Sequence, residues 1–262
     1  MRLKLLVAYD GTGFSGWQIQ EKPQPPPTVQ GTLEAALARL TGGSVRVFGS
    51  GRTDAGVHAH GQVAHCDVPD RPGFDWRHAL NAVLPPAVRI LSADAAAPGF
   101  DARRDAVSKT YIYQFWRETR FVPPLLAPFV WACGPLDAAA MRAALPHFLG
   151  ERDFASLRNA GSETRGSVRC IFAASLETLP PQEFYPPHAP LLRLRVTANG
   201  FLKQMVRNMA GLLAACGRGK LAPGDVPALL AAADRAAVAA PTAPPRGLAL
   251  ACVEYGPAYS CP

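Results

Sequence analysis

The residues with the most chemical potential lie together in Gly49-Ser50-Gly51-Arg52-Thr53-Asp54-Ala55-Gly56-Val57-His58-Ala59-His60. Asp54 is the lone carboxylate of that stretch and stands two positions after the guanidinium of Arg52. A neighbouring cation favours the ionised form of an aspartate. An ionised carboxylate on a rigid loop can act as a nucleophile, a general base or a metal ligand. The same residue types also build an Asx-turn that does no chemistry. His58, His60, His65 and Cys66 follow closely, which raises the question of zinc. A zinc site needs about four converging nitrogen or sulfur ligands. In an extended chain His65 and Cys66 point to opposite faces, and no second ligand pair occurs elsewhere, so these side chains read as packed or surface groups and no metal is expected.

Two further patterns carry potential chemistry. Gly11-Thr12-Gly13-Phe14-Ser15-Gly16 has the spacing of a dinucleotide-binding loop, the mark of a nucleotide-dependent oxidoreductase. That chemistry requires a helix to open at the loop, with its N-terminus on the pyrophosphate. Pro23, Pro25, Pro26 and Pro27 follow and oppose a helix there. Lys203 and Arg207 are spaced i,i+4 in a helical pattern, so they are expected on one face, either as a solvated basic stripe or as part of a site.

The elements that position these residues can be read from periodicity. The run from residue 2 to residue 9 alternates like a strand. Thr28 is a good N-cap for a helix whose apolar face is Val29, Leu33, Ala36, Leu37 and Leu40, ended by Gly42-Gly43. Strands are expected at Val45–Phe48 and Gln62–Val68, flanking the Asp54 loop. A helix from Asp75 to about Leu84 stops at Pro85-Pro86, and Val88–Ala95 reads as a strand. The first half therefore has the order β-α-β-β-α-β, the ferredoxin-like arrangement.

The second half opens on Phe100-Asp101-Ala102-Arg103-Arg104-Asp105. A strand at Lys109–Phe115 puts Tyr111, Tyr113 and Phe115 on one face. A helix runs from Asp137 to about Leu149, and Arg158, Arg165 and Arg169 fall in a loop with glycine and serine. Strands at Val168–Thr178 and Leu191–Ala198 follow. Then come a long helix at about Gly200–Cys216, an alanine-rich helix at about Asp225–Ala239 and a final strand at Leu248–Tyr255. Without the extra helix the order repeats. The expected class is α/β (α+β), with two ferredoxin-like-derived halves, residues 1–100 and 101–262, and a central cleft between them.

The chain has 262 residues and a formal net charge of +7. Arginine outnumbers lysine, and arginine suits phosphate and base-stacking contacts; a polyanionic partner fits that balance. No apolar run is long enough for a membrane span, and the start is too short and too charged for a signal peptide. The six cysteines are scattered and read as free thiols in a reducing compartment. A cytoplasmic protein is expected.

The segment Gly51-Arg52-Thr53-Asp54-Ala55-Gly56-Val57-His58-Ala59 resembles the signature loop of the TruA family of tRNA pseudouridine synthases. Four further matches lie in order along the chain. They are Tyr9-Asp10-Gly11-Thr12 with Phe14 and Gly16-Trp17-Gln18; Phe100-x-Ala102-Arg103 with Lys109-x-Tyr111; Met205-Val206-Arg207; and Ala243-Pro244-Pro245-Arg246-Gly247-Leu248-x-Leu250. The proline-rich stretch at 23–27 is longer than expected for the family and reads as an exposed loop. The resemblance implies two α/β halves joined through one extended, mainly antiparallel sheet. It implies isomerisation of uridine to pseudouridine at positions 38, 39 and 40 of tRNA, with no cofactor and with a homodimer as the working form. Residue by residue, it makes Asp54 the nucleophile and Tyr111 the substrate-binding residue. Arg52 and Arg207 become active-site support, and Arg103 an RNA contact. Arg104, Arg158, Arg165, Arg169 and Lys203 are further phosphate-gripping candidates. A non-catalytic RNA-binding protein would keep the basic residues without needing Asp54.

Overall fold

In the computed structural model, which describes residues 1–21, 23–118, 121–159, 161, 166–179 and 191–256, the alternating N-terminal run is strand β1 (Arg2–Tyr9). Leu3, Leu5, Val7 and Tyr9 are buried and the intervening residues half-buried, as period-two alternation against a one-sided core requires. Helix α1 (Val29–Thr41) starts where the Thr28 hydroxyl accepts the Gly31 N–H, and buries Val29, Leu33, Ala36 and Leu37. Strands β2 (Val47–Gly49) and β3 (His58–Asp67), helix α2 (Trp76–Val83) and strand β4 (Val88–Ala95) complete the β-α-β-β-α-β order. The Asp75 carboxylate caps α2 by accepting the His78 N–H at 2.9 Å.

The second half contains β5 (Ala106–Trp116), β6 (Trp131–Ala132), α3 (Ala138–Ala144), β7 (Gly150–Asp153), β8 (Val168–Thr178), β9 (Leu191–Ala198), α4 (Met205–Gly217), α5 (Val226–Ala231) and β10 (Leu248–Tyr255). The fold is mixed α/β and its strand pairs are mostly antiparallel. Its described residues divide into two compact units, one from 1–107 and 249–256 and the other from 108–248.

In the first unit β1 lies between β4 and β3, antiparallel to both. The far edge of β3 serves two strands. Its later residues pair with β2, Val47 facing Cys66, and its first residues pair in parallel with β10, Ala249 facing His58. The order β4-β1-β3-β2 is the ferredoxin-like one. The chain's last strand, which the repeat in the sequence places with the second half, pairs with the first. In the second unit β9 lies between β5 and β8, and β7 borders β8, all antiparallel, while the short β6 runs parallel to β5.

Three helices differ from their sequence expectation: α3 ends at Ala144 and gives way to a short 3-10 helix over Leu145–Phe148, and two others depart further. The long helix starts at Met205, because Gln204 takes a left-handed backbone (φ 61, ψ 11) that no right-handed helix can contain. Lys203 therefore precedes α4, and its expected i,i+4 relation to Arg207 along one helix does not hold. The alanine-rich helix stops at Ala231. Beyond it the Asp234 carboxylate accepts the Ala236 N–H at 2.9 Å and the Arg235 guanidinium donates to the Val238 carbonyl at 2.7 Å. Side chains that bond the local backbone in this way displace the helical ladder despite favourable alanine propensity. Cys66, Cys133, Cys216 and Cys252 are free thiols; Cys170 is disulfide-bonded, contrary to the free-thiol expectation for that residue.

Candidate active site

Asp54 sits in the connection between β2 and β3, two strands fixed side by side, and is half-buried while Arg52 and Ala55 are exposed. The loop is pinned from three sides within the first unit. Beneath it, the Tyr9 hydroxyl and Thr53 Oγ1 are 2.8 Å apart in a buried hydrogen bond. Burial raises the Tyr9 phenol to about 12, so it stays neutral at physiological pH. On the β3 side, buried Gln62 accepts from Ser50 Oγ at 2.7 Å and donates to the Gly51 carbonyl at 2.9 Å. Within the loop, Val57 N–H bonds the Asp54 carbonyl at 3.1 Å. Every one of these bonds engages buried or backbone groups whose loss would be costly.

The third side is the glycine-rich segment after β1. Trp17 N–H donates to the Thr53 carbonyl at 3.0 Å and Gly56 N–H to the Phe14 carbonyl at 3.2 Å. At Gly16 (φ 95) a Cβ would come within 2.6 Å of the Thr53 carbonyl oxygen, and at Gly11 it would run into the Val57 carbonyl. These glycines let one loop's backbone lie directly on the other. No helix opens at Gly16; the chain continues to Thr28, the α1 cap, and returns through a Ser15 N–H bond to the Pro27 carbonyl at 2.8 Å. The dinucleotide reading is thereby replaced by a structural one: the glycines brace the Asp54 loop.

His58 and His65, which follow Asp54, are engaged with backbone. Buried His58 accepts the Gly11 N–H at Nδ1 (3.0 Å), with Asp10 Oδ1 at 3.2 Å from the same nitrogen. His65 accepts the Ala102 N–H at Nδ1, also at 3.0 Å, and burial shifts its ring below the usual histidine range. Accepting at Nδ1 places the proton of the neutral His65 ring on Nε2. Among the described residues no group of three or more His, Cys, Asp or Glu is placed to hold a metal ion.

Arg103 and Arg104 are both exposed on a tight turn of the first unit. The Asp101 carboxylate organises that turn, accepting the Arg103 and Arg104 N–H groups at 2.9 Å each and the Arg104 side chain at 3.1 Å. The backbone bond from Arg104 is the first cause holding Asp101 down to about 2. The Tyr255 hydroxyl fixes the turn by donating to the Ala102 carbonyl at 2.6 Å.

The remaining candidates belong to the second unit. Tyr111 on β5 is buried to 8% exposure, with the Phe201 ring edge-on at 5.0 Å. Tyr113, on the same strand face, is fully buried and donates to the Pro244 carbonyl at 2.8 Å, so it belongs to the core. Lys203 is exposed, and Arg207, on the first turn of α4, is half-buried with Nε donating to the Ala243 carbonyl at 2.8 Å. Arg158 and Arg169 are half-buried. Burial, and then the Arg158 charge, lower the Arg169 guanidinium below its usual value, a repulsion that an incoming anion would relieve. Arg165 lies outside the described residues. Sequence reasoning missed Tyr9, Gln62 and Tyr255 as supports, because their partners lie in other segments of the chain, and missed Asp101, whose partners are its own turn's N–H groups.

The chain matches the family model described as tRNA pseudouridine synthase over residues 5–103 and 144–256. It is 49% identical over 275 residues to the tRNA pseudouridine synthase A of Oleidesulfovibrio alaskensis, covering 100% of this chain and 98% of that protein. It is 49% identical over 259 residues to the protein of the same name from Maridesulfovibrio salexigens, covering 97% and 90%. With the Geobacter sulfurreducens protein of that name it shares 42% identity over 255 residues, covering 97% and 99%. The chain belongs to the tRNA pseudouridine synthase family.

Proposed function

We propose that this protein isomerises uridine to pseudouridine in the anticodon arm of tRNA, at positions 38, 39 and 40, with Asp54 as the nucleophile. What supports the reading is the family together with one observation: a half-buried carboxylate on a loop that β2, β3, Tyr9 and the 11–17 backbone hold in place. Such restraint suits a nucleophile, because positioning supplies much of the barrier reduction.

In one route the Asp54 carboxylate attacks the ribose C1′ as a retaining glycosidase's carboxylate does. The N1–C1′ bond breaks, and its electron pair leaves with the uracil. After the base turns, C5 bonds to C1′, the carboxylate departs with its electrons, the C5 proton passes to solvent and N1, now free of the sugar, takes up a proton. Attack at uracil C6, and proton removal from the ribose to give a glycal, reach the same product. Substrate and product are isomers, so the chemistry needs neither an oxidant nor a group donor. Arg52 and Arg207 would keep Asp54 ionised and meet the RNA backbone. Tyr111 would receive the extruded base on its ring, and Arg103, Arg104, Arg158, Arg165, Arg169 and Lys203 would hold phosphates. The working form is a cytoplasmic homodimer. Among the described residues no helix is long and apolar enough to cross a membrane.

The test is tritium release from tRNA carrying C5-tritiated uridine, run with and without exhaustive chelation and with no nucleotide added. Release in all arms, lost in Asp54→Asn, is expected. Binding of tRNA without release would make the protein a non-catalytic RNA binder, and activity restored only by metal would end the cofactor-free reading.

A further inference from the structure

Arg235 belongs to none of the sequence motifs, yet its guanidinium gathers four acceptors. Nη1 donates to the Val238 carbonyl at 2.7 Å, Nη2 to the Ala240 carbonyl at 3.0 Å and to Thr242 Oγ1 at 3.4 Å, and Nε to Asn159 Oδ1 at 3.3 Å. The segment it gathers, residues 238–243, lies against α4. At Gly211 a Cβ would run into the Pro241 carbonyl, so the absence of a side chain there allows the approach. One turn earlier, Thr242 Oγ1 donates to Oδ1 of buried Asn208 at 2.6 Å. One residue before that, Ala243 is joined to Arg207 twice: its N–H donates to the Arg207 carbonyl at 3.1 Å, and its carbonyl accepts Arg207 Nε at 2.8 Å.

The other side of Arg235 leads to the start of α4. Asn159, which receives Arg235 Nε, also accepts Asn208 Nδ2 at 2.8 Å, donates its backbone N–H to the Lys203 carbonyl at 3.3 Å and gives its side-chain N–H to Gln204 Oε1. Gln204 is the residue with the left-handed backbone. That conformation costs energy in a residue with a side chain and persists only where its surroundings hold it. The helix start is thus tied to Asn159, the segment 238–243 is tied to the helix, and Arg235 is bonded to both.

We infer that Arg235 is a positioning residue that sets the Arg207 guanidinium through the Ala243 carbonyl and the first turn of α4. The inference rests on the reading in which Arg207 serves the reaction. A lysine cannot replace it fully, because a point charge has no planar fork with which to span acceptors on two segments.

The experiment uses the full-length protein and measures single-turnover pseudouridine formation at saturating tRNA, tRNA affinity and the thermal midpoint. The variants are Arg235→Ala, Arg235→Lys, Arg207→Ala and Arg207→Ala combined with Arg235→Ala. The Arg207 Nε–H resonance, assigned by its loss in Arg207→Lys, is followed by nitrogen-15 NMR. Arg235→Ala is expected to slow the chemical step roughly 10- to 100-fold, the scale of a misplacement near one ångström, with tRNA affinity changed far less. Arg235→Lys is expected to recover part of the rate. The double variant should be no slower than Arg207→Ala, since residues acting as a unit are non-additive. The Arg207 Nε–H resonance should shift and lose exchange protection in Arg235→Ala; if that variant does not fold, Arg235→Lys carries the same measurements. An unmoved Arg207 resonance, or fully additive losses, would overturn the inference. A wild-type rate in Arg207→Ala would instead remove Arg207 from the reaction, and the resonance would still decide whether Arg235 sets its position.

Discussion

Asp54 was readable from sequence as a residue and unreadable as a geometry. Its type, its neighbour Arg52 and the glycines around it fit an Asx-turn as well, and the resemblance of its loop to the family's signature makes it the candidate. Its half-buried position and its props, Tyr9, Thr53, Gln62 and Ser50, come from chain segments up to 44 positions away. Asp54→Asn keeps size and hydrogen-bonding shape but cannot attack as an anion. The expected outcome is no detectable multiple turnover with tRNA binding retained; turnover by a clean preparation would remove Asp54 from the nucleophile role. The tyrosines of β5 show where side-chain alternation stops being informative. Tyr111 and Tyr113 share a face, and only the structure separates a ring packed by Phe201 from a hydroxyl committed to Pro244. Tyr113→Phe strands the Pro244 acceptor and should cost about 1 kcal/mol of stability, seen as a lower denaturation midpoint with the rate at saturating tRNA unchanged. Tyr111→Ala should do the reverse, slowing the reaction by more than it destabilises the fold. Equal catalytic losses in the two variants would contradict the division of roles.

At the scale of elements, the order β-α-β-β-α-β of the first unit was legible because each of its helices and strands follows local rules of alternation, capping and proline stops. The misreadings occur where particular side-chain bonds or the packing of one backbone on another override such rules. The start of α4 is displaced by Gln204, the alanine-rich helix is cut by the bonds of Asp234 and Arg235, and the glycine motif proves to be a backbone-packing surface. The turn that carries Arg103 and Arg104 has its shape set by one carboxylate, Asp101. Asp101 is held down to about 2 by backbone N–H groups, Arg104 first, whereas an unfolded aspartate titrates near about 3.9. The sign follows: a folded-state value below the unfolded one stabilises the fold above about pH 4, and that contribution disappears as the pH falls through the folded value. Asp101→Asn should therefore be less stable than wild type at pH 7, and the difference should shrink between about pH 4 and pH 2. A difference that stays constant across that interval would mean that the carboxylate's charge does not hold the turn.

For the molecule as a whole, repetition in the sequence places the final strand with the second half, whereas β10 pairs with β3 of the first unit. Repetition in a sequence counts elements; edge pairing is decided by which strand has an open ladder, and β3 offers one beside its short β2 partner. The net charge of +7 was legible from the start, but its use depends on which cations are available to an RNA. Arg103 and Arg104 are adjacent and both exposed, yet their surroundings differ. Arg104 pairs with Asp101 at 3.1 Å, so a phosphate arriving at Arg104 meets a cation already partly neutralised by a carboxylate. Each phosphate contact neutralised by a cation contributes roughly 0.7 to 0.9 to the slope of log affinity against log salt. Arg103→Gln should flatten that slope by about that amount, and Arg104→Gln by less. Asp101→Asn frees the Arg104 charge and should steepen the slope, provided the measurement is made at neutral pH, where Asp101 is ionised in the parent protein. The check is tRNA dissociation constants over a series of potassium chloride concentrations for the four proteins. A slope that is the same in all of them would place the RNA away from this turn, and a dissociation constant insensitive to salt would show that the positive charge is not a binding surface.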